Sequence, residues 1–177
     1  MLEVVGSIPS QVIPKTTNSF LAWCSALRGF WSSITYKQMR KIYFCGSIRA
    51  GRQDVELYGR IIEQLQAYGI VLTEHVANKE IELSEVNLDD KFIHDRDIEW
   101  LENCDAVVAE VTQPSLGVGY EIGRAVAMKK RLLCLFRPAS GKKLSAMIGG
   151  AYDSQSFIVK HYAELDVPQI LQEFFSY

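Results

Sequence analysis

The chain has 177 residues, 48% of them hydrophobic, enough for one well-buried domain and too few for two of ordinary size. A formal net charge of −2 provides no global basic field to gather nucleic acid or an anionic membrane, so a phosphorylated ligand needs a local site. No uninterrupted apolar run approaches bilayer length, and the four cysteines form no CxxC pair, which reads as a soluble protein with buried thiols in a reducing compartment.

Residues 1–40 stand apart. They carry Lys15, Arg28, Lys37 and Arg40 against one acid, Glu3, with many Ser and Thr and bulky residues at Phe20, Trp23, Phe30 and Trp31. This composition suits a mitochondrial presequence; a disordered or loosely docked tail, or an artefact of start-codon choice, are the alternatives. Glu3 falls where a secretory signal needs basic residues. The expected organisation is therefore an N-terminal extension, 1–40, and one domain, 41–177.

From Lys41 the pattern becomes regular. Short runs rich in β-branched and aromatic residues, at Lys41–Cys45, Ile70–Thr73, Asp105–Val111, Arg131–Phe136 and Phe157–Lys160, lack strict alternation and predict strands buried on both faces. Helical spacing lies between them, at Leu57, Ile61, Leu65 and Tyr68, and at Phe92, Ile93, Trp100 and Leu101. A last helix starts near Asp166 and Pro168 and buries Ile170, Leu171, Phe174 and Phe175. Alternating strands and helices predict an α/β fold, doubly wound and flavodoxin-like, with a five-stranded parallel sheet whose ligands bind beyond the carboxyl ends of the strands.

The loop after the first strand, Tyr43-Phe44-Cys45-Gly46-Ser47-Ile48-Arg49-Ala50-Gly51-Arg52, is neither GxGxxG nor Walker A. Its glycines and arginines can wrap a small anion, or they form an ordinary glycine turn with solvated arginines; both readings stand. Tyr43, within the strand, reads as a core residue. The loop after the third strand, Glu110 through Arg124, holds Gly117 and Gly119, which let backbone approach a ligand, and Glu121 in the first turn of the next helix. There the helix dipole lowers a carboxylate's pKa and keeps a nucleophile ionised, although glutamate is common in first turns for dipole reasons alone. Asp97 lies four residues after Ile93 and four before Leu101, inside an apolar stripe where burial raises its pKa; pairing with a neighbouring Arg is the alternative. One carboxylate kept charged and another biased neutral is the division of labour found at glycosidic bonds. His75 can face a ligand's base, His94 and His161 have no such context, and no pair of histidines has metal-ligand spacing, so no metal is expected.

The stretches Tyr43–Arg52, Leu72–Val76, Glu110–Ala127 and Cys134–Ile148 closely resemble the 2'-deoxynucleoside 5'-monophosphate N-glycosidases of the nucleoside 2-deoxyribosyltransferase family. The resemblance covers nearly everything from Lys41 onward and rests chiefly on the long string from Glu110 through Ala125. It implies Glu121 as nucleophile, Asp97 as general acid and Tyr43 as the tyrosine that positions the nucleophile or the sugar. It further implies that Gly46, Ile48, Arg49 and Ala50 line the nucleotide, that Ser115 and Gly117 hold the 5'-phosphate, and that Ser145 reaches the phosphate of the neighbouring subunit in a homodimer. Ala50 stands where the family pattern expects glycine. The implied reaction is hydrolysis of the N-glycosidic bond of deoxynucleoside monophosphates, 5-hydroxymethyl-dUMP among them, through a covalent deoxyribosyl intermediate and without a cofactor. Cytoplasm and nucleus are the implied location, or mitochondria if residues 1–40 act as a presequence. The rival readings are a deoxyribosyltransferase that passes the sugar to a second base, and a non-catalytic nucleotide-binding module; the PGGxGTxxE signature of a related phosphoribohydrolase fold is absent.

Overall fold

The computed structural model describes residues 39–48, 54–73, 76 and 88–176. Most of the expected extension, like Arg49, Ala50 and His75, lies outside the described residues. The elements run β1 (Arg40–Cys45), α1 (Val55–Gln66), β2 (Gly69–Val71), α2 (Asp90–Asn103), β3 (Ala106–Glu110), α3 (Leu116–Ala127), β4 (Arg131–Phe136), a 3-10 turn (Pro138–Ser140), α4 (Ala146–Gly149), β5 (Phe157–His161), a second 3-10 turn (Glu164–Asp166) and α5 (Val167–Phe175).

The five strands form one parallel sheet in the order β2-β1-β3-β4-β5. The chain winds outward from β1 to β2, then returns to the other side of β1 with β3, so the order reverses between β1 and β3 and a crevice opens beyond their carboxyl ends. β2 stops at Val71, short of the expected Thr73. Thr73 instead uses its side chain: Oγ1 donates to the Phe44 carbonyl (2.6 Å) and accepts from the Phe44 N–H (2.8 Å), taking the place of a backbone ladder at the end of β1.

Strand alternation divides the core into two layers. On one face Ile42, Phe44, Val108, Leu133 and Leu135 pack with Leu57, Tyr58, Ile61 and Leu65 of α1 and Leu171 and Phe174 of α5. On the other, Tyr43, Cys45, Val107, Ala109, Leu132 and Cys134 pack with Leu101 of α2 and Val118, Ile122 and Ala125 of α3. Cys45, Cys104 and Cys134 are free and buried, the first and last of them within the apolar strands β1 and β4. In α5, Ile170, Leu171, Phe174 and Phe175 are all buried, the face that the spacing predicts.

α2 departs from its expected pattern. Leu101 is its only buried residue, and Phe92 is 54% exposed. The stripe divides: Ile93 lines a pocket, while Leu101 enters the core. The far end of α2 is tied down by Lys130, whose Nζ donates to the carbonyls of Glu102 (2.6 Å) and Cys104 (2.8 Å).

Candidate active site

Tyr43 and Cys45 are two residues apart on β1 and therefore share the sheet face that α3 covers. Across from them α3 carries Glu121, and the Tyr43 hydroxyl donates to Glu121 Oε1 at 2.6 Å. The Cys45 thiol is a second hydrogen-bonding neighbour of the same carboxylate. Burial raises the Glu121 pKa to about 7; the Tyr43 hydrogen bond opposes that rise, the charge of Asp97 adds to it, and the Cys45 hydrogen bond again opposes it. Burial, followed by the Glu121 charge, pushes the Tyr43 hydroxyl and the Cys45 thiol far up, so both remain protonated donors.

This corrects the expected position and electrostatics of Glu121. α3 begins at Leu116, with Ser115 as N-cap and its Oγ accepting from the Val118 N–H at 3.4 Å, so Glu121 falls in the second turn and the first turn holds no acid. The dipole acts chiefly within the first turn. Desolvation wins over it, and the carboxylate is raised rather than lowered.

Asp97 also differs from expectation. Its side chain is 25% exposed and paired with Arg96, whose Nε and Nη2 both stand 2.9 Å from Oδ1. The guanidinium lies over the Trp100 ring, 4.9 Å from its centroid. The alternative of a neighbouring arginine therefore holds for Asp97, whereas the pKa of Glu121 is raised by burial.

These groups line a pocket of about 630 Å³ at the switch point of the sheet. Gly46 and Ile48 border it from the first loop, and Ser115 and Gly117 from the start of α3. Gly46 is tightly packed: a Cβ there would meet the Tyr58 ring at 3.0 to 3.2 Å, so the ring would have to shift to admit it. At Gly117 a Cβ would meet only Ser115 Oγ, at 3.8 Å, so the first turn of α3 is open to an incoming group. Asp90, Ile93, His94 and Asp97, at successive spacings of three, one and three, present one face of α2 to the cavity.

Residues 42–152 match the family model for nucleoside 2-deoxyribosyltransferase. The chain belongs to this family. It is 62% identical over 135 residues to a 5-hydroxymethyl-dUMP N-hydrolase of Danio rerio, covering 76% of this chain and 94% of the relative. A human protein of the same name is 57% identical over 136 residues, with coverage of 76% and 78%. Among solved structures, a CMP N-glycosidase of Clostridium botulinum aligns with a TM-score of 0.54 at 19% identity, over 76% of this chain and 99% of that one, and shares the fold.

Within this family member the pocket brings together seven of the expected residues: Tyr43, Gly46, Ile48, Asp97, Ser115, Gly117 and Glu121. Ser145 is not among them. It is exposed at the N-cap of α4, where its carbonyl accepts from the Ile148 and Gly149 N–H groups at 3.0 and 2.9 Å. The pocket also contains Cys45, Thr73, Asp90 and His94, which the sequence did not mark as site groups. Cys45 was legible from its two-residue offset to Tyr43, and His94 from its helical offset of three to Asp97. His94 also bonds the Tyr120 hydroxyl across to α3 at 3.0 Å. Thr73 had no such signal, since its place depends on where β2 ends. A second cavity of about 660 Å³, beside α5 and the edge strand β5, is slightly larger but contains none of these carboxylates. Among the described residues, no group of three or more His, Cys, Asp or Glu is arranged to hold a metal ion, and no helix is long and apolar enough to cross a membrane.

Proposed function

We propose that this chain hydrolyses the N-glycosidic bond of 2'-deoxynucleoside 5'-monophosphates, releasing free base and 2-deoxyribose 5-phosphate. The observation that carries the reading is the Tyr43–Glu121 hydrogen bond of 2.6 Å in a pocket that also contains Asp97. The names of relatives near 60% identity support the same bond and substrate class, and those relatives make 5-hydroxymethyl-dUMP the first nucleotide to test.

In the reactive form of this reading the two carboxylates share one proton, Glu121 ionised and Asp97 protonated; Glu121 attacks C1' while Asp97 gives that proton to the departing base, so the C1'–N bond breaks as the C1'–O bond forms. Water then attacks C1' of the deoxyribosyl-Glu121 ester, Asp97 takes back a proton, and the carboxylate is regenerated. Tyr43 holds the attacking oxygen and keeps its lone pair aimed at the sugar. A 2'-hydroxyl would withdraw electrons from the oxocarbenium-like transition state, which favours deoxynucleotides. Ser115 and the open first turn of α3 offer hydrogen-bond donors to the 5'-phosphate.

Incubating the protein with a panel of deoxynucleoside and ribonucleoside monophosphates, with and without a free acceptor base, tests the reading by chromatography. Equal release of base and 2-deoxyribose 5-phosphate supports it. Appearance of a new nucleotide on the acceptor base makes the chain a transferase, and absence of free base in every incubation overturns hydrolysis.

Ser145 stands outside the pocket of its own chain, and the proposed active unit is a homodimer in which it serves the neighbouring site. Mixing inactive Glu121→Ala and Ser145→Glu chains by co-expression then leaves one intact site per mixed dimer, restoring about a quarter of all sites. Continued inactivity in mass-confirmed mixed dimers removes Ser145 from the neighbouring site.

A further inference from the structure

Glu110, the last residue of β3, is the one acid among the described residues with no exposed surface. Two residues from Val108, it lies on the α1 and α5 face of the sheet, away from Tyr43 and Glu121. Its carboxylate accepts from the Thr112 hydroxyl, from the Thr112 N–H at 3.3 Å and from the Tyr162 hydroxyl at 3.0 Å. Arg137 stands over the same group, with Nε 3.7 Å from Glu110 Oε1, and reaches Asp54 Oδ2 with Nη2 at 2.6 Å. The Arg137 backbone N–H donates to Thr112 Oγ1 at 2.8 Å.

Three loops are rooted on this one network. The loop leaving β1 ends at Asp54, which occupies the N-cap of α1 yet makes no side-chain cap, its carboxylate being engaged by Arg137. The loop leaving β3 passes through Thr112 to Ser115. The loop leaving β4 starts at Arg137 and runs to Ser145. The first loop carries Gly46 and Ile48, which line the pocket, and the other two carry Ser115 and Ser145, to which the proposed function assigns contacts with the 5'-phosphate.

We propose that Arg137 is a positioning residue for nucleotide binding, one that sets the roots of the three substrate loops by joining Asp54 to the buried Glu110–Thr112 pair. The physical reason is preorganisation: hydrogen bonds to a phosphorylated ligand hold it tightly only when the donors are already oriented, and a loop released at its root must be ordered anew on binding. Burial makes the arrangement stiff, because acids away from water demand a partner and Arg137 is the cation that serves both. The reacting Tyr43–Glu121 pair sits on the opposite sheet face, so loosening the network falls on affinity rather than on the chemical step.

The inference rests on the proposed nucleotide reading, and two readouts separate their failures. Using the full chain, KM and kcat for a deoxynucleoside monophosphate are measured, together with the calorimetric Kd for dUMP, in wild type, Asp54→Asn, Arg137→Lys and Arg137→Met. Wild-type protein that binds dUMP but releases no base from any nucleotide defeats the hydrolase reading, and Kd alone then judges Arg137. Asp54→Asn, which keeps volume and removes no helix cap, is expected to raise KM and Kd about tenfold, with Arg137→Met at least as large and Arg137→Lys between it and wild type. Asp54→Asn decides the question if Arg137→Met fails to fold. KM and Kd within twofold of wild type in Asp54→Asn, a loss confined to kcat, or no dUMP binding by wild type overturns the proposal.

Discussion

Glu110 and Glu121 are both carboxylates whose pKa burial raises, on opposite faces of one sheet near the carboxyl ends of its strands. They differ in compensation. Around Glu110, hydrogen bonds from Thr112 and Tyr162 and the Arg137 charge all oppose the effect of burial. Glu121 has two neutral donors, Tyr43 and Cys45, and the charge of a second acid, Asp97, adds to its burial. A carboxylate ringed by donors and a cation is a structural tie. One to whose burial a second acid adds, that faces an open pocket and accepts from the Tyr43 hydroxyl at 2.6 Å, is poised to react.

The largest expected effect separates the two acids by chemistry. Glu121→Gln should lower kcat by about a thousandfold or more while calorimetry still shows nucleotide binding, since it removes the proposed attacking oxygen at nearly constant volume. Turnover near the wild-type rate would end the nucleophile assignment.

The second contrast is in stability, between removing the acid on one face and removing a donor to the acid on the other. Glu121 has a folded pKa near 7, above its ordinary 4.5, so the folded state holds this proton more tightly than the unfolded chain does. That contribution is fully present below pH 4.5, declines as pH rises and is lost above pH 7. Glu121→Gln should therefore stabilise the protein at pH 8 by up to about 3 kcal/mol and bring no gain at pH 4, as measured by chemical denaturation. Tyr162→Phe, which takes a donor from fully buried Glu110, should instead cost about 1–3 kcal/mol at pH 7. A loss of stability from Glu121→Gln at pH 8 would show that burial does not penalise its charge.

The smallest effects are shifts of the pH–rate profile. kcat/KM should rise with pH through about 7 as Glu121 ionises. Tyr43→Phe removes a hydrogen bond to the charged form and should move the midpoint upward. Asp97→Asn removes a repelling charge and should move it downward, and Tyr162→Phe should leave it in place. Shifts of the same sign in Tyr43→Phe and Asp97→Asn would mean that the profile follows another group.

Much of this protein was legible in the chain itself. Local periods marked all five strands and the buried face of α5, because side-chain alternation and helical spacing are properties of neighbouring residues. The string from Glu110 through Ala125 marked the family and the position of Glu121. The boundaries were less secure: β2 ends at Val71 because the Thr73 side chain, rather than its backbone, completes the edge of β1. α2 misled because a stripe that reads as core also suits a pocket wall, and Phe92 is exposed beside it.

What tertiary structure alone decided is the charge and company of each acid. Residue types and spacing named Glu121 and Asp97, but whether a carboxylate is ionised depends on the surrounding medium and on partners brought from elsewhere in the chain. Tyr43 meets Glu121 across 78 residues, and Tyr162 meets Glu110 across 52. Asp97 found its cation next door in Arg96, yet only the folded helix shows that the two side chains turn toward each other. A local pattern states where a side chain lies on its own helix or strand; desolvation and long-range pairing are summed over everything that folding packs around it, and that sum exists only in three dimensions.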